Sequence, residues 1–291
     1  MKLVFSKRLI FLLVLLLANM FTWLIIFQAL RFQEKIAFLN VGQGDAELIH
    51  YQAGNILIDA GPNNKILFEL SKVLPFYDRT IDLFILSHPN KDHYNGLFEL
   101  FDKYKIKAVM LNNYTYPSSS FQKLVEELKK RHILIIQGFK GVRIHLGENT
   151  NYQDELLTLY PPKNLMFSNE ANNSCLVLDF FSRNNQFLFT GDIGSAQENK
   201  LLSSFSFPPS QFNVLKVAHH GSNYSSSDVF LKSFHPQIAV IEVGENTYGQ
   251  PHLDTLTRLK NIGAQIFRTD IKGTIQFILE NNALKMKIEH E

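Results

Sequence analysis

The hydrophobic pattern of the chain changes character after Leu30. From Leu9 to Leu30 runs LIFLLVLLLANMFTWLIIFQAL, 22 residues without a charge. At 1.5 Å per residue a helix of this length is about 33 Å long, enough for a bilayer core of about 30 Å. A core helix is rarely apolar on every side over such a span. The run also exceeds the ~7–15 apolar residues of a cleavable signal, and no clear A-x-A site follows it. We expect residues 1–31 to be an uncleaved signal anchor that crosses a membrane through residues 9–30, with a cleaved signal peptide as the alternative. Lys2, Lys7 and Arg8 precede the span, and Arg31 and Lys35 follow it. A short positive N-terminus stays in the cytoplasm. The expectation is a single-pass protein of the cytoplasmic membrane with residues 32–291 on the extracytoplasmic side.

Beyond Arg31 the pattern becomes one of short β-type runs alternating with helical stretches. Strands are expected at 35–40 (KIAFLN), 46–51 (AELIHY), 55–59 (NILID) and 81–86 (IDLFIL), and near 106–111, 133–136, 155–160, 175–181, 186–190, 213–218, 237–242, 264–268 and 273–279. Helices are expected at 65–74, 94–104, 118–131, 195–203, 226–234 and 253–262. Strands at this density with helices between them predict an α/β fold of two mixed sheets covered by helices. No linker rich in Gly, Ser or Pro interrupts 32–291, which predicts one domain. The polar segments 112–120 and 161–173 are candidate lips of an active site.

Composition narrows the chemistry. The apolar share of 45% favours a folded globule. The single cysteine, Cys175, excludes an internal disulfide and a multi-thiolate zinc site, so a metal would be held by His, Asp, Glu or Asn. The net charge is +2, and the four cations of residues 1–31 leave the remainder near −2. A broad cationic face for non-specific nucleic-acid binding is therefore not predicted.

Three strand ends carry candidate ligands. IDLFIL delivers Ser87-His88-Pro89-Asn90-Lys91-Asp92-His93 just before a helical pattern, a place where α/β proteins gather ligands. Two imidazoles and a carboxylate there suit Zn²⁺ or Mn²⁺. QFLFT delivers Gly191-Asp192, and NVLKVA delivers His219-His220. Asp192 taken alone reads as a turn residue. His50, His132, His145, His235 and His290 follow no pattern and read as surface or packing residues. Asp45 and Asp59 each read either as an orienting partner of a histidine or as a turn cap. Lys216 is expected to point along its strand into solvent. Ser222 and Ser225–Ser227 are expected to cap a helix.

HPNKDH resembles the H-x-H-x-D-H motif of the metallo-β-lactamase superfamily. The order of motifs sharpens the likeness: FLNVGQGD at 38–45, LIDAG at 57–61, SHPNKDH, LFTGD, VLKVAHHGS, NTYGQPH at 246–252, then RTD at 268–270 with GTI at 273–275. This succession, over roughly residues 35–280, is similar to the hydrolase domain of the ComEC-type competence proteins, which take DNA into bacteria. The resemblance implies an αββα sandwich with a metal site at one edge. It implies His88, Asp92, His93, Asp192 and His220 as ligands, with Asp192 bridging if two metals bind and His219 lining the pocket. Asn90 stands where relatives have His or Asp. The His expected before the bridging Asp is replaced in the region of Asn172, Asn173 and Ser174. The expectation is one firm divalent site, Zn or Mn, from Asp92, His93, Asp192 and His220, and a weak second one from His88 and Asp192 with neutral amides such as Asn90. Gln250 stands where relatives usually have His, and His252 remains.

The activity implied is hydrolysis of phosphodiesters, DNA above all. A divalent cation lowers the pKa of its water from about 16 to about 7. Asp92 would orient that water or take its proton, and His219 or His252 would stabilise charge on the electrophile. The rival readings are a surface phosphoesterase or other esterase acting on small molecules and a metal-poor binding module without catalysis, the latter motivated by Asn90 and Gln250. With one expected span, DNA uptake would need a separate channel protein.

Overall fold

The computed structural model describes residues 7–29, 32–112, 116–146, 154–161, 171–280 and 283–290. Of the two expected loop lips, 113–115 and 162–170 lie outside the described residues, as do Lys2 and Arg31. The chain divides into two compact units, Met1–Gln33 and Glu34–Glu291. The first is α1 (Lys7–Ala29), whose 23 residues include neither Gly nor Pro. Its Lys7–Leu24 window is long and apolar enough to cross a membrane by length and composition.

The second unit opens with β1 (Glu34–Phe38), β2 (Glu47–Tyr51) and β3 (Gly54–Ile58), the last two joined by the two-residue turn Gln52-Ala53. It continues through α2 (Lys65–Val73), β4 (Thr80–Ile85), α3 (Lys91–Leu100), β5 (Lys105–Asn112), α4 (Ser119–Lys130), β6 (Leu134–Gly138) and β7 (Arg143–His145). Then come β8 (Glu155–Tyr160), β9 (Val177–Ser182), β10 (Asn185–Phe189), α5 (Ser195–Leu202), β11 (Phe212–Lys216), α6 (Asp228–Phe234) and β12 (Ile238–Ile241). The chain closes with α7 (Leu253–Asn261), β13 (Gln265–Arg268), β14 (Ile275–Glu280) and β15 (Ala283–Ile288). The expected elements are present with ends moved by a few residues; β7 and β15 were not expected.

One sheet has the order β15-β14-β1-β2-β3-β4-β5-β6 and the other β13-β12-β11-β10-β9-β8-β7. Pairing is antiparallel where short turns join strands. It becomes parallel from β3 to β6 and from β10 to β13, where a helix makes each crossover. Alternation along the strands divides their apolar residues between two faces. Ile36, Phe38, Ile49, Ile56, Phe180, Phe187, Val214, Val240 and Phe277 fill the space between the sheets. The opposite faces are covered by helices: Leu48 and Leu57 meet Ile66 and Leu70 of α2 and Leu97 of α3. Leu188 and Leu215 meet Leu201 of α5, Phe230 of α6 and Leu259 of α7. This is the αββα sandwich that the resemblance implied. Both parallel halves end their strands at one rim, so the segments after β3, β4, β10, β11 and β12 converge there.

Candidate metal centre

Each candidate ligand leaves a strand end or the helix that follows it. Asp59 follows β3, Ser87 and His88 follow β4, and Asp192 follows β10. Asp92 and His93 lie on the first turn of α3, not on a loop before it, because α3 starts at Lys91 with Asn90 as its extended N-cap. An acidic residue in that first turn suits the helix dipole. His219 and His220 sit in a turn at Ala218–Gly221 after β11, both with left-handed backbone at φ 52°.

His88, His93, Asp192 and His220 are buried, while Asp92 keeps 37% of its side chain and His219 36% of its side chain exposed. The Nε2 atoms of His88, His93, His219 and His220 stand 3.7, 3.5, 3.8 and 3.9 Å from Asp192 Oδ2. Asp92 Oδ2 lies 3.5 Å from His220 Nε2 and 3.8 Å from His93 Nε2. These gaps are too long for hydrogen bonds. They are close to the ~3.3–3.4 Å between two ligands that each stand about 2.0–2.1 Å from a tetrahedral zinc ion. The Nε2 atoms of His88, His93 and His220 are moreover buried with no hydrogen-bond partner, an arrangement that costs energy unless something binds there. The residues therefore fit a divalent cation, in overlapping trios His88–His93–Asp192 and Asp92–His93–His220.

The far side of each ring explains why Nε2 is the atom presented. His93 Nδ1 is 2.7 Å from Asp59 Oδ2, and Asp59 Oδ1 accepts from the Ser87 amide at 2.7 Å. Ser87 Oγ donates to Asp59 Oδ2 at 2.5 Å and lies 3.0 Å from His88 Nδ1, so it is placed to accept from that ring. His220 Nδ1 is 2.9 Å from the Glu242 carbonyl, placed to donate to it. Every buried ring is oriented by an acceptor behind it. Asp59 thus orients a histidine, one of the two readings of that residue.

Charge separates the rings. Burial, and His93 beside it, bring His88 down to about 3, so it is neutral. Burial also opposes charge on His93 and His220, but the carboxylates around them prevail. Asp192 and Asp59 lift His93 well above the usual histidine range, and Asp45 and Asp192 lift His220 to about 10. Against its own burial, Asp192 is held well below the carboxylate range by His93 and His220.

The remaining expected residues divide. Asn90 Nδ2 donates to Asn172 Oδ1 at 3.1 Å, and Gln197 Nε2 donates to Asn173 Oδ1. The amides that stand where imidazoles were expected thus bond to other amides. His252 is the N-cap of α7, and its own amide donates to the Gly221 carbonyl beside the His219-His220 turn at 2.9 Å. Gln250 donates to the His219 carbonyl and accepts from Gln43. Ser227 caps α6 and Ser225 Oγ donates to the Ala218 carbonyl. Lys216 corrects an expectation: it is fully buried, because the alternation that sends Val214 between the sheets sends Lys216 there too. It pairs with buried Asp45. Glu47 and Glu242 are also buried under the site, and Cys175 Sγ is 3.8 Å from His88 Nδ1; none of the three was expected there from the sequence. For the two glutamates the available signal was a charge at the end of an otherwise apolar strand run.

A family model of the metallo-beta-lactamase superfamily matches residues 39–244. ComE operon protein 3 of Bacillus subtilis (strain 168) is 26% identical over 277 residues, covering 89% of this chain and 34% of that protein. Recombination protein 2 of Haemophilus influenzae is 27% identical over 262 residues, covering 88% and 30%. The chain thus spans about a third of the length of the curated relatives it matches. Among solved structures, the metallo-beta-lactamase fold protein YhfI from Bacillus subtilis shares the fold, with a TM-score of 0.52 at 11% identity over 82% of this chain and 98% of that one. Tm1679, a metal-dependent hydrolase of the beta-lactamase superfamily, gives 0.52 at 14% identity over 83% and 98%. By motif order, sandwich and matched span, the chain belongs to the metallo-β-lactamase superfamily of metal-dependent hydrolases and is similar within it to the ComEC-like competence proteins.

Proposed function

We propose that the protein is a membrane-anchored metal-dependent phosphodiesterase that cuts DNA, with residues 1–31 as anchor and 32–291 as the hydrolase domain outside the cytoplasm. The observation that carries the reading is the convergence of three buried, unpartnered imidazole nitrogens on Asp192 Oδ2. The competence-protein relatives supply the choice of DNA. Asp92, His93, Asp192 and His220 would hold the firm cation, and His88 with Asp192 would offer the weaker place. A divalent cation of the Zn or Mn type supplies Lewis acidity and brings water within reach of deprotonation near neutral pH.

The chain's own groups do the rest. Asp92 is the partly exposed carboxylate beside two ligand imidazoles, so it can orient a water or take its proton from the side open to solvent. His219, at the same rim, can donate a hydrogen bond to a phosphoryl oxygen. His252, the N-cap of α7 beside that turn, is the other candidate for stabilising charge on the electrophile. Asp59, Ser87 and the Glu242 carbonyl keep the rings from turning. Entry of DNA into a cell would involve a separate channel protein.

The test is incubation of the detergent-solubilised protein with single-stranded DNA and Mn²⁺ or Zn²⁺. Cleavage that Asp92→Ala lowers by about 10²-fold or more is expected from loss of a group acting as acid or base. No cleavage, or cleavage indifferent to Asp92→Ala, sinks the reading. Hydrolysis of bis-p-nitrophenyl phosphate without hydrolysis of DNA would instead indicate a phosphoesterase acting on small molecules.

A further inference from the structure

Beneath the ligands lies a charged layer that the mechanism does not use. Lys216 Nζ contacts Asp45 Oδ2, donates to the Gly191 carbonyl at 3.0 Å and stands 3.9 Å from Asp192 Oδ1. Both side chains of the pair are 0% exposed. Asp45 in turn stands 3.2 Å from His220 Nδ1 and 3.6 Å from His93 Nδ1. Those rings already have their acceptors in the Glu242 carbonyl and Asp59. Asp45 is thus a surplus anion packed behind two ligands, with Oδ1 lacking a hydrogen-bond partner. The loop that carries it is fixed on three sides. Gly61 N donates to the Asp45 carbonyl, Ala46 N donates to Glu242 Oε1, and Gly44 packs against the Asp92 carbonyl.

We propose that Lys216 is a positioning residue for the metal centre, a role that rests on the metal-site reading above. Its ammonium ties the Gly191 carbonyl, one residue before Asp192, to Asp45, which backs His93 and His220. One buried cation thereby sets the relative places of ligands from β10, β11 and α3 before a metal arrives. The alternative is a structural ion pair only. A buried pair replaced by apolar groups of similar size often leaves stability unchanged, whereas removal of one partner strands the other. That asymmetry separates the two roles.

The experiment measures Zn²⁺ and Mn²⁺ affinity by competition calorimetry on the detergent-solubilised full chain, alongside thermal midpoints. Lys216→Met is expected to weaken metal binding about tenfold or more, the size found when outer-shell partners of ligands are removed, and to lower the midpoint. The double variant Asp45→Leu/Lys216→Met is expected to recover the midpoint while affinity stays low. In metal-free protein, the His220 ring resonance in long-range ¹H–¹⁵N spectra is expected to shift in Lys216→Met. Affinity unchanged or tightened in Lys216→Met overturns the proposal, as does affinity that recovers together with stability in the double variant. Should these variants not fold, the near-isosteric Asp45→Asn decides: tenfold weaker binding with an unchanged circular dichroism spectrum supports the role, and wild-type affinity overturns it. Absence of metal binding by the wild-type chain would instead overturn the metal-centre reading itself.

Discussion

One glycine shows how closely single atoms bear on the site. Gly96 lies inside α3, where Ala would ordinarily gain about 1 kcal/mol over Gly. Here an added Cβ would stand 2.0 Å from the Ala60 carbonyl. We expect Gly96→Ala to cost about 1–3 kcal/mol through overpacking, visible as a lower urea midpoint. The sign is opposite to the one propensity gives. Asp179 offers a pH test away from the metal. Burial lifts it to about 7, with Gln186 donating to both of its oxygens. The folded carboxyl keeps its proton to about pH 7, and the unfolded one loses it near 4. Between those values the unfolded state binds fewer protons, so this group makes stability fall as pH rises from about 4 to about 7 and stay level above. Asp179→Asn should flatten that slope and raise stability at pH 8 by on the order of 2–4 kcal/mol, read from denaturant midpoints across pH. At this scale the meeting of His88, Asp92, His93, Asp192 and His220 at one rim was expected from their places after apolar strands and from the order of motifs, and the structure brings them together. Lys216 and Glu242 were not expected there. Their role depends on which strand face meets the other sheet, and that is set by pairing between distant segments.

The elements carry their own constraints. The segment between His220 and α6 is clamped from both sides. Glu198 of α5 accepts from the amides of Ser226 and Ser227, and Arg258 of α7 donates to the carbonyls of Ser225 and Ser226. Removing the guanidinium leaves these carbonyls short of partners. Arg258→Met should therefore cost about 1–3 kcal/mol and raise amide exchange in residues 222–227 more than elsewhere. Most strands and helices were legible from periodicity. The start of α3 was missed because His93 and Asp92 read as loop residues when they are its first turn. β7 is too short, at three residues, to show a period. β15 did show one, since Leu284, Met286 and Ile288 alternate with Lys285 and Lys287, but it is an edge strand with an exposed polar face. Such a pattern looks like a polar tail until its partner β14 is known.

For the whole molecule, the order of elements already indicated two sheets under helices. Which strands pair in parallel followed from where helices replace hairpins. The two compact units lead to a fractionation test of the proposed anchor. The full chain should remain with membranes after carbonate washing, and a chain lacking residues 1–33 should be soluble with the same thermal midpoint for the hydrolase unit. The assembly of the site also has a consequence in time. The loop behind its rings closes through a bond from Ala46 to Glu242, 196 positions apart, and Glu242 is also the residue whose carbonyl fixes His220. During synthesis no competent site exists until that late segment has emerged and the second sheet has docked on the first. A domain exported as an unfolded chain would travel without its cation. The ion such a domain finally holds would be chosen by the supply on the side of the membrane where it folds.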